Sequence, residues 1–216
     1  MKTATHTPSA AGRKRRSYHH GNLAEALIEA SLTLIEQDGV ENLSLRQAAK
    51  LAGVSPGAPF RHFSTKTALL TAVAEQAMQR LSSAIATELA NTDTESPLNQ
   101  FHAIGLGYLN WALAHPTHFQ IVSSRTLIDF EASDYLVKEN NAIRERMVVL
   151  LRQAQERKEI SAAVQPDHLI LSARALVYGL ARMAIDGHMP EWHPQEPAAQ
   201  AIERALDQFI ESIRRK

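Results

Sequence analysis

Residues 44–63, SLRQAAKLAGVSPGAPFRHF, constrain the fold more than any other stretch of the chain. Ser44, with Gln47 three residues on, reads as the start of a short helix with Leu45, Ala48, Ala49 and Ala52 as its apolar face. Gly53 stops that helix. Ser55 and Pro56 then offer a cap and a first-turn proline for a second helix through about His62. The three alanines are small enough for the two helices to cross closely, Gly53 supplies the turn, and Val54 plugs the corner. This is a helix-turn-helix pattern. Its second helix begins with the small or polar residues Ser55, Pro56, Gly57 and Ala58, which lets that N-terminus slide into a DNA major groove. A purely structural helical corner is the alternative, and the full spacing disfavours it.

The flanking sequence keeps a helical period. Leu23, Ala26, Leu27, Ala30 and Leu34 recur at helical spacing behind Asn22 and Glu25, a capping-box-like start. Gly39 is expected to take the left-handed cap conformation, so that Val40 folds back on Ile35 in a Schellman ending. Ser64 is expected to cap a long helix running to about Ala90, and the polar NTDTESP stretch at 91–97 joins it to the next. That joint is too short to be a free linker, so the two parts should pack together. Helical patterns follow at 97–114, 117–124, 131–158, 166–187 and 197–214, broken at His115-Pro116, at Gln165-Pro166 and across 187–197. Hairpin signals and internal repeats are lacking. The expected fold is all-α with about nine helices: a flexible basic arm over 1–21, a three-helix head over 22–70 with a fourth helix continuing to about 90, and a helical bundle over 91–216.

Charge and composition narrow the function. The net charge of zero hides a polarity: residues 1–80 hold ten Lys/Arg against six Asp/Glu, and residues 81–216 hold thirteen against seventeen. A basic first part on an acidic remainder suits a nucleic-acid-binding head on another module. The absence of cysteine removes disulfides, thiolate metal sites and thiol catalysis together. No apolar run approaches a membrane span free of charge, since Arg174 and Arg182 cut the longest stretch, and the first residues carry no secretory apolar region. A cytoplasmic location without membrane attachment is the expectation.

The chain resembles the TetR family of bacterial transcriptional regulators through Ser44-Leu45-Arg46, Ala52-Gly53-Val54-Ser55, Phe60-Arg61-His62-Phe63 and Ser64-Thr65-Lys66-Thr67-Ala68-Leu69-Leu70. The likeness covers about residues 20–70. The lead-in Tyr18-His19-His20-Gly21-Asn22-Leu23 is similar to a subgroup with its own type of C-terminal domain, whose usual Trp-His-Gly is replaced here by Val177-Tyr178-Gly179. The resemblance implies a homodimer whose recognition helices occupy successive major grooves of a palindromic double-stranded operator. It also implies a C-terminal helical domain that binds a small, largely apolar effector and releases DNA when it does, with no cofactor.

Residue by residue, the resemblance places the N-terminus of a helix against phosphate at Ser44, and puts Lys66 against the backbone at the start of the fourth helix, both favoured by the helix dipole. Arg46, Ser55, Gly57, Ala58, Arg61 and His62 are the candidates for groove contact, with Arg46 the preferred base reader because it can grip guanine bidentately. Phe60 stands where the family commonly has Tyr, so a hydroxyl bond to phosphate is missing and the ring packs on sugar or core. Pro59 would lose a helical hydrogen bond, which sets a late helix start, near Gly57. Arg15 and Arg16, in the basic run 13–16, either belong to a solvated tail or enter the minor groove; phosphate attraction helps affinity either way.

Nine of the twelve aromatics fall after residue 90, and Phe101, Tyr108, Trp111, Phe119, Phe130 and Tyr135 cluster early in that part. Most must be core. With the cavity that the resemblance implies, Phe101, His102, Tyr108, Trp111, His118, Phe119, Arg174 and Tyr178 are the candidates for effector contact, with Asn110 and Arg182 as further polar anchors and a surface or interface role as the alternative for the polar ones. Stripes through Leu169, Ala173, Leu176, Val177, Leu180 and Ala184, and through Ala201, Ala205, Phe209, Ile210 and Ile213, are amphipathic; their assignment to a dimer interface of the last two helices is what the resemblance adds.

Neither the His115/His118 pair nor His19-His20 has a third ligand at suitable spacing, so hydrogen-bonded caps are expected there and no metal. Gly105 and Gly107 lie in a helical pattern and suit close packing. Two rivals stand beside the regulator: an architectural DNA-binding protein without effector, and a helical enzyme using His115, His118 and Asp129. No activated nucleophile or acid–base pair is recognisable, so a non-enzyme is expected and no catalytic residue is assigned.

Overall fold

A computed structural model describes residues 23–193 and 195–215. The arm with Arg15 and Arg16, the lead-in motif, His19-His20 and the Asn22 cap lie outside them. Nine α-helices follow in order among the described residues: α1 (Leu23–Asp38), α2 (Leu45–Leu51), α3 (Lys66–Ala90), α4 (Pro97–Ala114), α5 (Pro116–Ser123), α6 (Asp134–Glu156), α7 (Pro166–Ile185), α8 (Met189–Trp192) and α9 (Ala198–Ile213). The described residues form no strand, only an isolated bridge between Ile160 and Arg214.

The helix count meets the expectation with a different membership. The segment expected as the second helix of the helix-turn-helix is a single 3₁₀ turn, Pro59–Arg61, and the short α8 completes the nine. Proline explains the first change. Pro59 has no N–H to offer the Ser55 carbonyl, which instead accepts from Ala58 N at 2.9 Å, and His62 N closes on Pro59 O at 2.9 Å. A second correction concerns caps: Thr65, not Ser64, caps α3, its hydroxyl accepting from Ala68 N at 3.0 Å. A third concerns Gly39, whose ψ of 158° carries the chain out of α1 extended, into the 3₁₀ turn Val40–Asn42, so no Schellman motif forms there.

That motif forms one helix later. Val54 N bonds Ala49 O at 3.0 Å and Gly53 N bonds Lys50 O at 3.2 Å, with Gly53 at φ 71°. The turn is thereby fixed, and buried Ala48, Ala49 and Ala52 let it press against α1.

α3 joins the two parts of the molecule. Leu69, Leu70, Val73 and Ala74 pack among the helices of the head, while Ala77, Met78, Leu81 and Ile85 continue into the bundle. α4 crosses α3 at Gly107, where a Cβ would stand 2.8 Å from the Ile85 Cα, so only glycine permits this approach. α7 meets length and composition criteria for a membrane span, yet it turns Leu169, Ile170, Ala173, Val177 and Ala181 onto the bundle and packs on α4, α6 and α9. The bundle is closed at its far end by Glu159, whose carboxylate accepts from Ser96 Oγ and Leu98 N, both at 2.9 Å, at the positive end of α4.

Candidate nucleic-acid interface and internal cavity

The head presents a cationic face. Residues 42–74 hold Arg46, Lys50, Arg61 and Lys66 and no Asp or Glu. Ser44 caps α2: its hydroxyl accepts from Gln47 N at 3.3 Å and donates to Gln47 Oε1 at 2.6 Å. Arg46 and Lys50, one turn apart, stand exposed on α2, with Gln47 between them. Ser55, Gly57, Phe60, Arg61 and His62 are exposed around the 3₁₀ turn and Ala58 is half-buried, while Pro59 and Phe63 anchor the turn in the core. Phe60 is 52% exposed, which removes the core from its two expected packing partners.

Lys66 has a partner within the head. Its ammonium donates to the Glu41 carbonyl at 3.0 Å, so it braces α3 against the loop after α1. The motif assigns no DNA contact to Lys50 or Gln47, which share the exposed face with Arg46. The acid-free run at 42–74 was the available signal for Lys50.

The bundle encloses a cavity of about 320 Å³ between α3, α4, α6, α7 and α9, at the low end of the ~300–1,000 Å³ typical of small-molecule sites. Of the eight expected effector contacts, Phe101, Tyr108, Trp111 and Arg174 line it. The other four do not. His102 faces α9, where its Nε2 lies 2.8 Å from the Asp207 carboxylate. Phe119 is wholly buried behind the wall, edge-on to Tyr108 and Trp111, and the Tyr178 ring, 39% exposed, lies tilted against it at 5.7 Å. Asn110 is engaged by Glu88 and Arg182 by Asp186, both away from the lining.

His118 is buried at a different place, the junction of α1, α3 and α5. Its Nε2 meets Gln76 Oε1 at 2.9 Å; Gln76 donates to Glu29, which also pairs with Arg80, and Thr117 donates to Glu36. Burial first, then the charges of Arg80 and His115, push the His118 pKa down to about 4, so it is neutral near pH 7. No group of three metal-ligating side chains occurs among the described residues.

Residues that sequence alone did not assign to the cavity supply most of it. Met78, Leu81 and Ile85 come from α3, Ile143 and Met147 from α6, and Leu206 and Ile210 from α9. Arg125, from the segment after α5, lies over the Phe130 ring at 3.2 Å, and Arg174 lies over the Tyr108 ring at 4.5 Å. Burial raises the Tyr108 pKa, opposed by the adjacent Arg174, so the phenol stays protonated.

Comparison with known proteins accounts for both halves. Residues 27–73 match the N-terminal domain of bacterial regulatory proteins of the tetR family, and residues 101–209, half of the chain, match the tetracyclin repressor-like C-terminal domain. The nucleoid occlusion factor SlmA of Sodalis glossinidius is 29% identical over 160 residues, covering 73% of this chain and 79% of that protein. The HTH-type transcriptional regulator BetI of Ectopseudomonas mendocina is 36% identical over 78 residues, covering 36% of this chain and 40% of its own. A solved structure from Rhodococcus sp. RHA1, of a protein with unknown function, superposes with a TM-score of 0.76 at 29% identity, covering 93% of this chain and all of that one. With the helix-turn-helix head, the helical bundle and both domain matches in place, the chain belongs to the TetR family and is a DNA-binding transcriptional regulator.

Proposed function

We propose that the protein works as a homodimeric repressor of cytoplasmic DNA, released when a small molecule with a largely apolar body enters the bundle cavity. The observation that carries this reading is the double membership of α3. Its first turn, capped by Thr65 and braced through Lys66, sets the position of the head, and Met78, Leu81 and Ile85 further along the same helix form cavity wall. A ligand that favours one placement of α3 changes the spacing of two heads, and it weakens operator binding by no more than its differential affinity for the two placements.

Within this proposal the head comprises 22–70, the effector and dimerisation domain 91–216, and α7 and α9 pair across the two-fold axis. Exposed Leu171 and Tyr178 on α7 support the pairing, since large apolar side chains on an outer helix face favour burial. The DNA contacts are assigned to Ser44, Arg46, Ser55, Gly57, Ala58, Phe60, Arg61, His62 and Lys66, with Arg15 and Arg16 adding phosphate or minor-groove contacts from the arm. The effector contacts are assigned to Phe101, Tyr108, Trp111 and Arg174.

The test is selection of bound fragments from sheared source DNA at physiological salt. A recurrent palindrome is expected; absence of enrichment with ligand-free protein would refute specific regulation. A second reading, DNA binding without an effector, is favoured by the likeness to nucleoid occlusion factors. It predicts an operator complex that no cavity ligand dissociates.

A further inference from the structure

We propose that the cavity is built for an amphipathic organic acid, its apolar body inside the bundle and its carboxylate between Arg125 and Arg174. This rests on the reading of the cavity as the effector site and makes that reading chemically specific. The interior is apolar, with Leu81, Ile85, Ile104, Val177 and Leu206 buried or close to it. The polar lining residues Arg125, Asn140, Arg144 and Arg174 are all exposed, so the polar groups gather where the cavity meets solvent. Among the described lining residues there is no Asp or Glu.

The three arginines are not equivalent. Arg144 is matched, its guanidinium 2.6 Å from the Asp167 carboxylate. Arg125 and Arg174 have no carboxylate within ion-pair distance among the described residues; each lies on an aromatic ring instead. Both line the same cavity, and the charge of Arg174 disfavours that of Arg125. Burial holds the Arg125 pKa below its ordinary value, the charge of Glu131 works against that, and Arg174 adds to it. A carboxylate between them would relieve this repulsion and accept the bidentate hydrogen bonds that a guanidinium fork offers. A cationic ligand would add to the repulsion, and a neutral one would leave it in place.

Trp111 is 2% exposed, and its indole Nε1 has no hydrogen-bond acceptor among the described residues. Burying that donor without an acceptor is unfavourable. The cavity is thus apolar in body, supplied with two guanidinium donors where it meets solvent, and lacks an acidic acceptor in its lining.

The experiment uses the full chain and three probes of equal length and different heads: decanoate, decan-1-ol and decylamine, measured by calorimetric titration at physiological salt. Decanoate is expected to bind at least tenfold more tightly than the alcohol, and the amine more weakly still. Arg174→Met, which keeps the length over Tyr108 but removes the charge, should cost decanoate tenfold and leave the alcohol unchanged; Arg174→Lys should restore part of the loss, and Arg125→Met should act in the same direction. Melting curves verify that each variant folds. Equal binding of acid and alcohol, tighter binding of the amine, undiminished decanoate binding by the Arg125→Met/Arg174→Met pair, or no decanoate binding would each overturn the assignment. Operator release is read separately: decanoate that binds with this charge dependence but leaves the DNA complex intact supports the site's chemistry and sinks the effector reading.

Discussion

In the proposed function the head and the bundle of this protein work in opposite ways. The head offers side chains that are near neighbours in sequence, Arg46 and Lys50 on one short helix and Arg61 and His62 on one 3₁₀ turn, held outward by buried Pro59 and Phe63. The bundle gathers its cavity from positions as far apart as Met78 and Ile210, turned inward by helices whose order the pattern alone does not give. A surface that reads DNA needs few supporting contacts. An enclosed volume exists only when several helices are placed correctly at once, and that makes the bundle far more sensitive to packing errors.

The largest expected effect therefore lies in the bundle. Gly107→Ala drives a methyl to 2.8 Å from backbone of α3, where no side-chain rotation gives relief, and should destabilise the chain by about 3 kcal/mol despite alanine's better helix propensity. Because the apolar core runs without a break from Leu27 to Ile210, calorimetry should record one transition moved down as a whole. Two transitions, with the head's unmoved, would show that the head is held independently of the bundle.

On the DNA side, Arg46→Ala should cost about 1–3 kcal/mol on the selected operator and much less on random DNA, as expected for a base-reading arginine. Lys66→Ala should weaken binding to all sequences, and its bond to the Glu41 carbonyl means that it should also lower the melting temperature. Fluorescence anisotropy on both DNAs separates these outcomes. Equal losses on operator and random DNA for Arg46→Ala would remove it from base reading and would make the head a phosphate binder.

At the junction of the two parts, His118 links stability to pH. The folded chain holds its pKa near 4 against an ordinary 6.5, so between those values the unfolded chain binds more protons. The stability that the neutral imidazole provides is complete above about pH 6.5 and is lost as pH falls toward 4. From pH 7 to pH 5 wild type should lose about 2 kcal/mol more than His118→Gln, which keeps a polar partner for Gln76 but does not titrate. Denaturant melts at the two pH values measure this, and parallel losses would assign the acid sensitivity to other groups.

The same contrast explains what could be read from the sequence. Helix positions follow from apolar period and from breaks at Pro116, Pro166 and Gly187, which are local signals, and these elements lie within a few residues of expectation. The head's motif is local too, apart from the turn at Pro59, where a missing N–H decided between helix types. Cavity residues were harder because aromatic identity does not tell which face a helix turns inward. Phe101 and Trp111 point to the cavity, whereas Phe119 lies behind its wall and Tyr178 at the surface. Arg125 lies outside any helix, where no periodicity marks it.

The smallest expected effect isolates one device that the two parts share. α2 ends in a Schellman motif at Gly53, and α6 ends in another at Lys158, where Glu159 N bonds Ala154 O at 2.8 Å and Lys158 N bonds Gln155 O at 3.0 Å. Both central residues are left-handed, at φ 71° and φ 61°. For glycine this conformation is nearly free, whereas a side chain at Lys158 meets its own backbone at a cost on the order of 1 kcal/mol. Lys158→Gly should therefore stabilise the protein by somewhat less than 1 kcal/mol, because glycine's freer unfolded chain offsets part of the relief, and Gly53→Ala should destabilise it by about 1 kcal/mol. Urea melts with unchanged slope read both. A loss of stability in Lys158→Gly would mean that the lysine contributes more to the end of α6 than its backbone strain removes, and the two motifs would then be alike in hydrogen bonds only.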